Sequence, residues 1–317
     1  MTAAMQLGAR PGPATDATKR SRYRTVGLAL ALIGLMGTAA AAIGNFVAAA
    51  SIDSTNSYGE TLAWTFGLSI FSFGVIKIAI AVILMGIIVR LWFRVDSIKA
   101  ALGRLHGHSD NAVRTPTGDL DTEFGPATVT DDPPKLLPIH RVARFMWRPS
   151  LVMGAMALIV GLISSFVWAD ESVGTESFRQ AGAWTQGVIF LGEAFLLSGI
   201  AFLLGTILAG LREGGGEVQH SLALPVTTLK MPGTAKAFVV LMMMGMMLGI
   251  VQFVGYLVAI GFADNTASFS TWLNVLGPLR ELSLGLILAG IVLALVTIGN
   301  VLRFQFGRVT SIVRTGQ

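Results

Sequence analysis

Four ionisable side chains fall within segments that are otherwise apolar enough to cross a membrane. Lys77 lies inside the second such segment, Glu193 inside the fourth, and Arg280 and Glu281 at the start of the sixth. Burying a charge in hydrocarbon is costly unless the charge is paired, hydrated or neutralised, so intramembrane ionisable groups are functional candidates by default. These residues are therefore the candidate intramembrane charge site.

The spacing of these charges supports two interpretations. Glu193 follows Trp184 by nine residues, and Glu281 follows Trp272 by nine residues. In the second segment, Lys77 lies one helical turn beyond the position that follows Trp64 by nine residues. In one interpretation a carboxyl group handles an ion or a proton and Lys77 is its counter-charge. In the other, a Lys77–Glu193 pair fixes how the helices associate. A third interpretation is that each charged side chain extends separately to the membrane interface. The sequence leaves all three open.

Other chemistry has little support. Without cysteine the chain can form no disulfide, thiolate metal site or cysteine nucleophile. His106 and His108 could approach a metal together with Asp110, but the loop offers no organised third ligand. The methionine run 242–247 points all around a helix, which favours packing over copper(I) binding. We therefore predict no metal site.

The glycine run 214–216 has neither the lysine of a phosphate-binding loop nor a preceding strand, and it predicts a flexible link. No nucleophile-and-base motif and no cofactor fingerprint is present. We predict a protein that is not an enzyme, with no catalytic residue, no cofactor and no nucleic-acid partner.

The elements that carry the charges are membrane helices. The 317 residues are 53% hydrophobic and 13% charged, with a mean hydropathy of +0.69, whereas soluble domains carry about 25% charged residues. Each apolar segment is long enough to cross a hydrocarbon core of about 30 Å as a helix. The segments are 25–50, 66–92, 151–168, 187–211, 237–262 and 282–302. The sequence predicts an all-α membrane protein with six transmembrane helices.

The distribution of positive charge predicts the orientation. Of the 23 Lys and Arg residues, only Lys77, Arg179 and Arg280 lie outside the N-terminal segment, the two long loops and the C-terminal tail. Cytoplasmic segments carry the excess of Lys and Arg. Both termini are therefore predicted to be cytoplasmic, in a prokaryotic plasma (inner) membrane.

The helix pairs share landmarks that indicate an internal repeat. Each odd span ends in an acidic residue, and Gly44, Gly161 and Gly255 each lie nine positions before it. Small residues let helix backbones approach closely, so these glycines are predicted packing positions. Because every copy starts on the same side, we expect three parallel hairpin repeats around one axis along the membrane normal.

The predicted organisation follows from these repeats. A disordered basic tail precedes the first hairpin, which continues into an amphipathic segment, and a mobile cytoplasmic linker separates the first two hairpins. The third hairpin ends in a cytoplasmic tail. The boundaries are 1–22 for the tail, 23–101 for hairpin one, 102–146 for the linker, 147–225 for hairpin two and 226–317 for hairpin three.

Two functions fit these features. The scarcity of intramembrane polar groups favours an accessory or scaffolding subunit of a membrane complex. The alternative is a transporter or channel for a small ion, a proton-coupled substrate or a small solute, with an axial site at Lys77 and Glu193. The expected partners are membrane lipids and either other membrane-protein subunits or further copies of this chain. A water-filled cavity that reaches the charges would favour transport.

Overall fold

The computed structural model describes residues 13–50, 55–106, 118–122, 125–222 and 224–315. Six helices in this part of the chain are long and apolar enough to cross a membrane, so the predicted six-helix membrane protein is confirmed. They are α1 (Pro13–Ala50), α2 (Thr55–His106), α3 (Pro138–Asp170), α4 (Glu176–Ser221), α5 (Gly233–Ile260) and α6 (Thr266–Thr315).

The helices pack as three pairs in chain order, with α4 in the centre. The pairs are α1 with α2, α3 with α4 and α5 with α6, and α4 also packs against α2, α5 and α6. In the most apolar window of α4, 83% of the residues are buried, against 17–28% in the other five helices. The middle of the bundle is therefore occupied by a helix.

Two clefts flank α4. They form because, in the described residues, α2 does not pack along α6 and α3 does not pack along α5. One cleft lies between α2 and α6, and the other lies between α3 and α5. They open toward opposite ends of the bundle. We call the end with the α3–α4 and α5–α6 turns the short-loop end, and the end where α3 and α5 begin the sheet end.

Each of the three predicted packing glycines lies against the other helix of its pair. Gly44 faces Thr65 of α2, Gly161 faces Ile189 of α4, and Gly255 faces Leu276 of α6. A Cβ atom at any of the three would collide with that neighbour. Each pair therefore needs a glycine at this point for its helices to approach.

Several helices extend beyond the predicted spans. Residues 13–22, for which the sequence predicts a disordered tail, belong to α1 and continue the helix that the apolar span nucleates. The amphipathic segment after the second span is an unbroken continuation of α2, which has 52 residues. At about 1.5 Å per residue, α2 is far longer than a bilayer is thick.

The predicted linker is partly ordered, and the expectation that it is mobile is wrong for residues 118–122 and 125–130. Strands β1 (Gly118–Thr122) and β2 (Gly125–Thr130) form an antiparallel hairpin, and β3 (Val226–Leu229), which precedes α5, pairs with β2. Lys230, next to β3, donates to Asp119 of β1. This three-stranded sheet covers the sheet end of the bundle.

The prediction of a flexible link at 214–216 is also wrong, because these glycines lie inside α4. Gly215 lies against Gln305 and Arg308 of α6, and Gly216 lies against Pro134 and Val226. The glycines remain helical because the absence of side chains lets α6 and the sheet approach the backbone of α4.

Candidate functional site

Helix α4 positions the carboxylate at the centre of the candidate site. Thr175 caps the helix by accepting a hydrogen bond from the Phe178 amide at 3.2 Å. Further along, Gly192 lies against the backbone of Gly154 in α3. The next residue, Glu193, is rotated by about 100° around the helix. Its side chain therefore reaches toward α2 and α6, and Glu193 is only 5% exposed.

Two cations converge on this carboxylate from different hairpins. Lys77 Nζ of α2 donates to Glu193 Oε1 at 2.5 Å, and Arg280 Nη2 of α6 lies 3.5 Å from Glu193 Oε2. The first contact is a short charge-assisted hydrogen bond, while the second is at the long limit for one. The three side chains, which we call the charge cluster, thus join all three hairpins.

Arg280 keeps hydrogen-bonding capacity that the protein does not use. Its guanidinium lies over the Phe190 ring, with Cζ 3.8 Å from the ring centroid. The Arg280 side chain is 31% exposed, although its Nε is buried without a hydrogen-bond partner among the described residues. A guanidinium has five N–H donors, so the exposed part of Arg280 can bind a further acceptor without releasing Glu193.

The cleft between α2 and α6 leads to this arginine, and it is here called the polar cleft after Glu193 and Arg280, although most of its wall is apolar. One face of α2 forms its wall, at the i, i+4, i+7, i+8 and i+11 positions of a helical stripe, while Trp168, Glu193 and Arg280 complete it. It contains about 920 Å³ of empty space, including its open mouth. The wall residues from α2 are Leu62, Phe66, Ser69, Ile70 and Phe73.

The depth of the cleft follows from these residues. Leu62 and Trp168 lie near the short-loop end, and Phe73 lies about 16 Å further along α2. Glu193 and Arg280 line the cleft, whereas Lys77 reaches Glu193 without being part of the lining. The charge cluster therefore borders an open cleft between α2 and α6, on the side where Arg280 lies.

The remaining predicted residues are not part of the cluster. Glu281 is exposed although it adjoins Arg280, because adjacent helix positions point in different directions. His140 lies at the sheet end and His220 is exposed, far along α4 from Glu193. His108, Asp110 and the side chain of His106 lie outside the described residues, so the structure leaves that loop untested.

The methionine run does not gather around one point. Met242 is buried, whereas Met243 and Met247 are about half exposed. Met242 and Met243 are consecutive and therefore point in different directions from the helix, whereas Met243 and Met247 share one face. The run packs α5 against the core on one side and presents an apolar surface on the other.

Sequence reasoning missed a second group of polar residues at the sheet end. Arg308 of α6 donates to Gln219 Oε1 of α4 and to the Thr227 carbonyl of β3. Arg212 of α4 donates to the Leu229 carbonyl at 3.0 Å. In the sequence these arginines only add to the positive charge of their segments. The β-branched run 226–228 is the one local signal that a strand, and so a set of carbonyl acceptors, lies nearby.

No protein-family model, curated protein or solved structure matches this chain. Its function is therefore argued from its own charges, clefts and contacts.

Proposed function

We propose that this chain is a membrane transport protein that carries a small anion, with Lys77, Glu193 and Arg280 as its central site. The observation that carries the proposal is the polar cleft, which runs from the short-loop end to Glu193 and Arg280. A charge cluster serving only to hold helices together needs no such access. A hydrated path to intramembrane charges is what transport requires.

The charges of the cluster favour an anion as the substrate. Two cations surround one carboxylate, so the ionised cluster carries a formal charge of +1. Arg280 is partly exposed and lines the cleft, while the shorter bond of Glu193 is to Lys77, which does not line it. An anion entering the cleft would meet the guanidinium, for which chloride, bicarbonate or a small carboxylate is a suitable partner.

On the side that faces the sheet end, the charge cluster is closed in this arrangement, because the apolar lining found there does not reach Glu193. Beyond Glu193, α4 continues through buried leucines toward the sheet end, including Leu196, Leu203 and Leu204. An anion held at Arg280 therefore communicates with one side only. Carriage to the other side requires a second conformation, in which α6 moves relative to α4 and opens the cluster toward the sheet end.

The placement in the membrane is part of the proposal. The excess of Lys and Arg at the sheet end favours a cytoplasmic sheet end, with both termini cytoplasmic and the polar cleft opening outward. The equivalent glycines of the three helix pairs support an origin as three parallel hairpin repeats. We keep the prokaryotic plasma membrane as the proposed location.

The test is anion flux in liposomes that contain the purified full chain. Vesicles loaded with potassium chloride and treated with valinomycin should release chloride faster than protein-free vesicles. Parallel vesicles with acetate or bicarbonate would rank the substrates. Arg280→Gln should reduce the rate at least tenfold, since it removes the cleft-facing cation but keeps the Lys77–Glu193 bond.

Two matched variants control for surface charge. Glu281→Gln changes an exposed neighbour of Arg280, and Arg303→Gln removes an exposed arginine further along α6. Both should transport at the rate of the unchanged protein. Flux that equals that of empty vesicles for all three anions, or flux unchanged in Arg280→Gln, would contradict the proposal.

An accessory subunit is the second candidate, and the exposed surface of α6 favours it. A Cβ atom added at Gly285 or Gly299 would have no neighbouring atom within 4 Å, and Ala289 between them is exposed. Small residues on a membrane-facing surface allow another helix to approach closely. By contrast, Gly34 and Gly37 of α1 pack inside the chain against α2.

Purification in a mild detergent distinguishes the two candidates. A stoichiometric partner lost on replacing Gly285 with Leu, in a chain without flux activity, would establish the accessory role. A chain that is active when purified alone would exclude the need for such a partner.

A further inference from the structure

The cleft between α3 and α5, here called the apolar cleft, lies at the sheet end of the bundle. The first turns of α3 and α5, the 201–212 segment of α4 and the 297–308 segment of α6 form its sides. Residues 228–232, from β3 and the chain that follows it, form the remaining wall. It contains about 850 Å³ of empty space, including its mouth.

Most of this lining is hydrocarbon. Phe202, Phe238, Met242 and Val301 are typical of the wall, which has very little polar surface. Three of these side chains, Phe202, Phe238 and Met242, are themselves well buried in the core. Such a cleft suits an aliphatic chain and offers a water-soluble polar molecule few partners.

The polar groups gather at one end of this cleft. Arg212 and Arg308 lie at the end farthest from the middle of the membrane, and His140 also lines the cleft. Along α4, Phe202 lies about 15 Å from Arg212, toward the membrane centre. The cleft is therefore elongated, with guanidinium groups at one end and apolar walls at the other.

The local charge is positive and uncompensated at Arg212. No acidic side chain is among the described residues of the lining. Arg212 forms no ion pair with a described residue, and its Nε has no hydrogen-bond partner among them. Glu213, the next residue of α4, is instead paired with Arg144 of α3. A buried or half-buried cation is expected to have an anionic partner.

The guanidinium groups are nevertheless held in place. Arg308 is 8% exposed and is oriented by Gln219 and Thr227, while the Leu229 carbonyl orients Arg212. These hydrogen bonds fix the direction of both guanidinium groups, and the neutral Leu229 carbonyl does not compensate the charge of Arg212. This is the arrangement of a binding site for an anionic group, in which donors are positioned before the ligand arrives.

We infer that the apolar cleft binds an anionic amphiphile, with its phosphate or carboxylate at Arg212 and Arg308 and its hydrocarbon chain along α4 toward Phe202 and Met242. The depth of the site agrees with such a ligand. Tryptophan and arginine side chains favour the headgroup level of a membrane. Trp147 and Arg148 of α3 lie within two turns of Ala143, a residue of the cleft wall. The head group would lie at the membrane surface and the chain would extend inward.

Two sources share this chemistry, an acidic phospholipid and a free fatty acid. The inference does not depend on anion transport, since Arg280 and the polar cleft are on the other side of α4. Its test is photolabelling of the purified full chain with diazirine-bearing phosphatidylglycerol, oleic acid and, for comparison, phosphatidylcholine of the same acyl chains. Peptide mass spectrometry then locates the adducts.

The anionic probes should label residues 201–208 of α4 and 235–242 of α5 at least tenfold more than phosphatidylcholine does. Labelling by phosphatidylglycerol alone identifies a lipid site, and labelling by oleic acid alone identifies a fatty-acid site. Arg212→Gln should reduce labelling about tenfold, the effect of one lost charge-assisted hydrogen bond. Arg303→Gln, an exposed arginine outside the cleft, is the matched control.

A second variant separates binding from folding. Val239→Trp fills the cleft and leaves both arginines in place, so it should abolish labelling while the protein keeps its elution volume and thermal midpoint. Equal labelling by all three probes, adducts elsewhere on the chain, or undiminished labelling in Val239→Trp would overturn the inference. If Arg212→Gln does not fold, the result for Val239→Trp decides.

Discussion

The two clefts beside α4 stabilise a charged side chain near hydrocarbon in different ways. In the polar cleft, Arg280 shares a carboxylate that the chain itself supplies from Glu193. In the apolar cleft, Arg212 is oriented by a carbonyl oxygen and has no ion pair with a described residue. In the polar cleft, the charges of the protein's own side chains cancel to within one unit. In the apolar cleft, the charge of Arg212 is left for a ligand to compensate.

The comparison shows why burial alone does not identify a function. Glu193 and Arg308 are similarly buried, at 5% and 8% exposure. The carboxylate is a counter-ion for two other side chains, whereas hydrogen bonds to Gln219 and to the Thr227 carbonyl orient the guanidinium beside an apolar cleft. The partners of a buried charge, more than its depth, indicate what it is for.

Replacing Glu193 with Gln should have the largest effect on this balance. Lys77 and Arg280 would then face one another without a carboxylate, and removing one member of a buried ion pair costs about 3–5 kcal/mol. The midpoint of thermal unfolding, followed by tryptophan fluorescence in detergent, should fall accordingly. Glu281→Gln, an exposed carboxylate in the same turn as Arg280, should leave the midpoint unchanged. Equal midpoints for both variants would show that Glu193 does not hold the cations.

Replacing Lys77 with Met should have the next largest effect. It removes the 2.5 Å bond to Glu193 but leaves Arg280 beside the carboxylate. A hydrogen bond to a charged group contributes about 1.5–3 kcal/mol. Arg280→Met, which removes the longer contact of 3.5 Å, should lower the unfolding midpoint less. The reverse order would mean that Arg280 is the principal counter-ion.

Replacing Gln219 with Leu should loosen the wall of the apolar cleft. Gln219 Oε1 accepts from Arg308 and, at 2.9 Å, from the Thr227 amide, so the change leaves two donors without this acceptor. An unsatisfied buried donor costs about 1–3 kcal/mol. Hydrogen exchange should accelerate at 226–229 and stay unchanged around Glu193. Gln180→Leu, at the short-loop end, should not affect 226–229.

The smallest effect is expected from Glu213→Gln. Its ion pair with Arg144 also joins α3 to α4, but the two side chains are 30% and 31% exposed. Pairs of this kind contribute about 0–1 kcal/mol and are screened by salt. The difference in unfolding midpoint should vanish at high ionic strength, while that of Glu193→Gln should persist. A large, salt-independent loss would show that the sheet end depends on this pair as much as the middle of the bundle depends on Glu193.

The parts of the fold that local sequence determines were the predictable ones. Long apolar runs identified all six helices, since a backbone in lipid must satisfy its hydrogen bonds within the segment. The cost of burying Lys77 and Glu193 singled them out before any contact was known. Whether the two side chains meet could not be predicted, because that depends on the rotation of α2 and α4 about their axes.

The sheet and the apolar cleft depend on contacts between distant parts of the chain. Val129 pairs with Thr227 across nearly one hundred residues, and no local pattern reports such a partner. Arg212 and Arg308 come together only because α4 and α6 continue past the membrane as helices. The glycines at 214–216, which indicate flexibility when read locally, are helical because another helix packs against them.

The separation of the charge cluster along the chain also has a consequence for biosynthesis. Lys77 is translated 116 residues before Glu193, and Arg280 follows 87 residues after it. When the first hairpin enters the bilayer, the ammonium of Lys77 has no partner and must stay hydrated at the lipid surface or in the insertion machinery. Arrival of α4 lets that charge move inward. The bundle can therefore close around its centre only after the second hairpin has been inserted, with the third completing it.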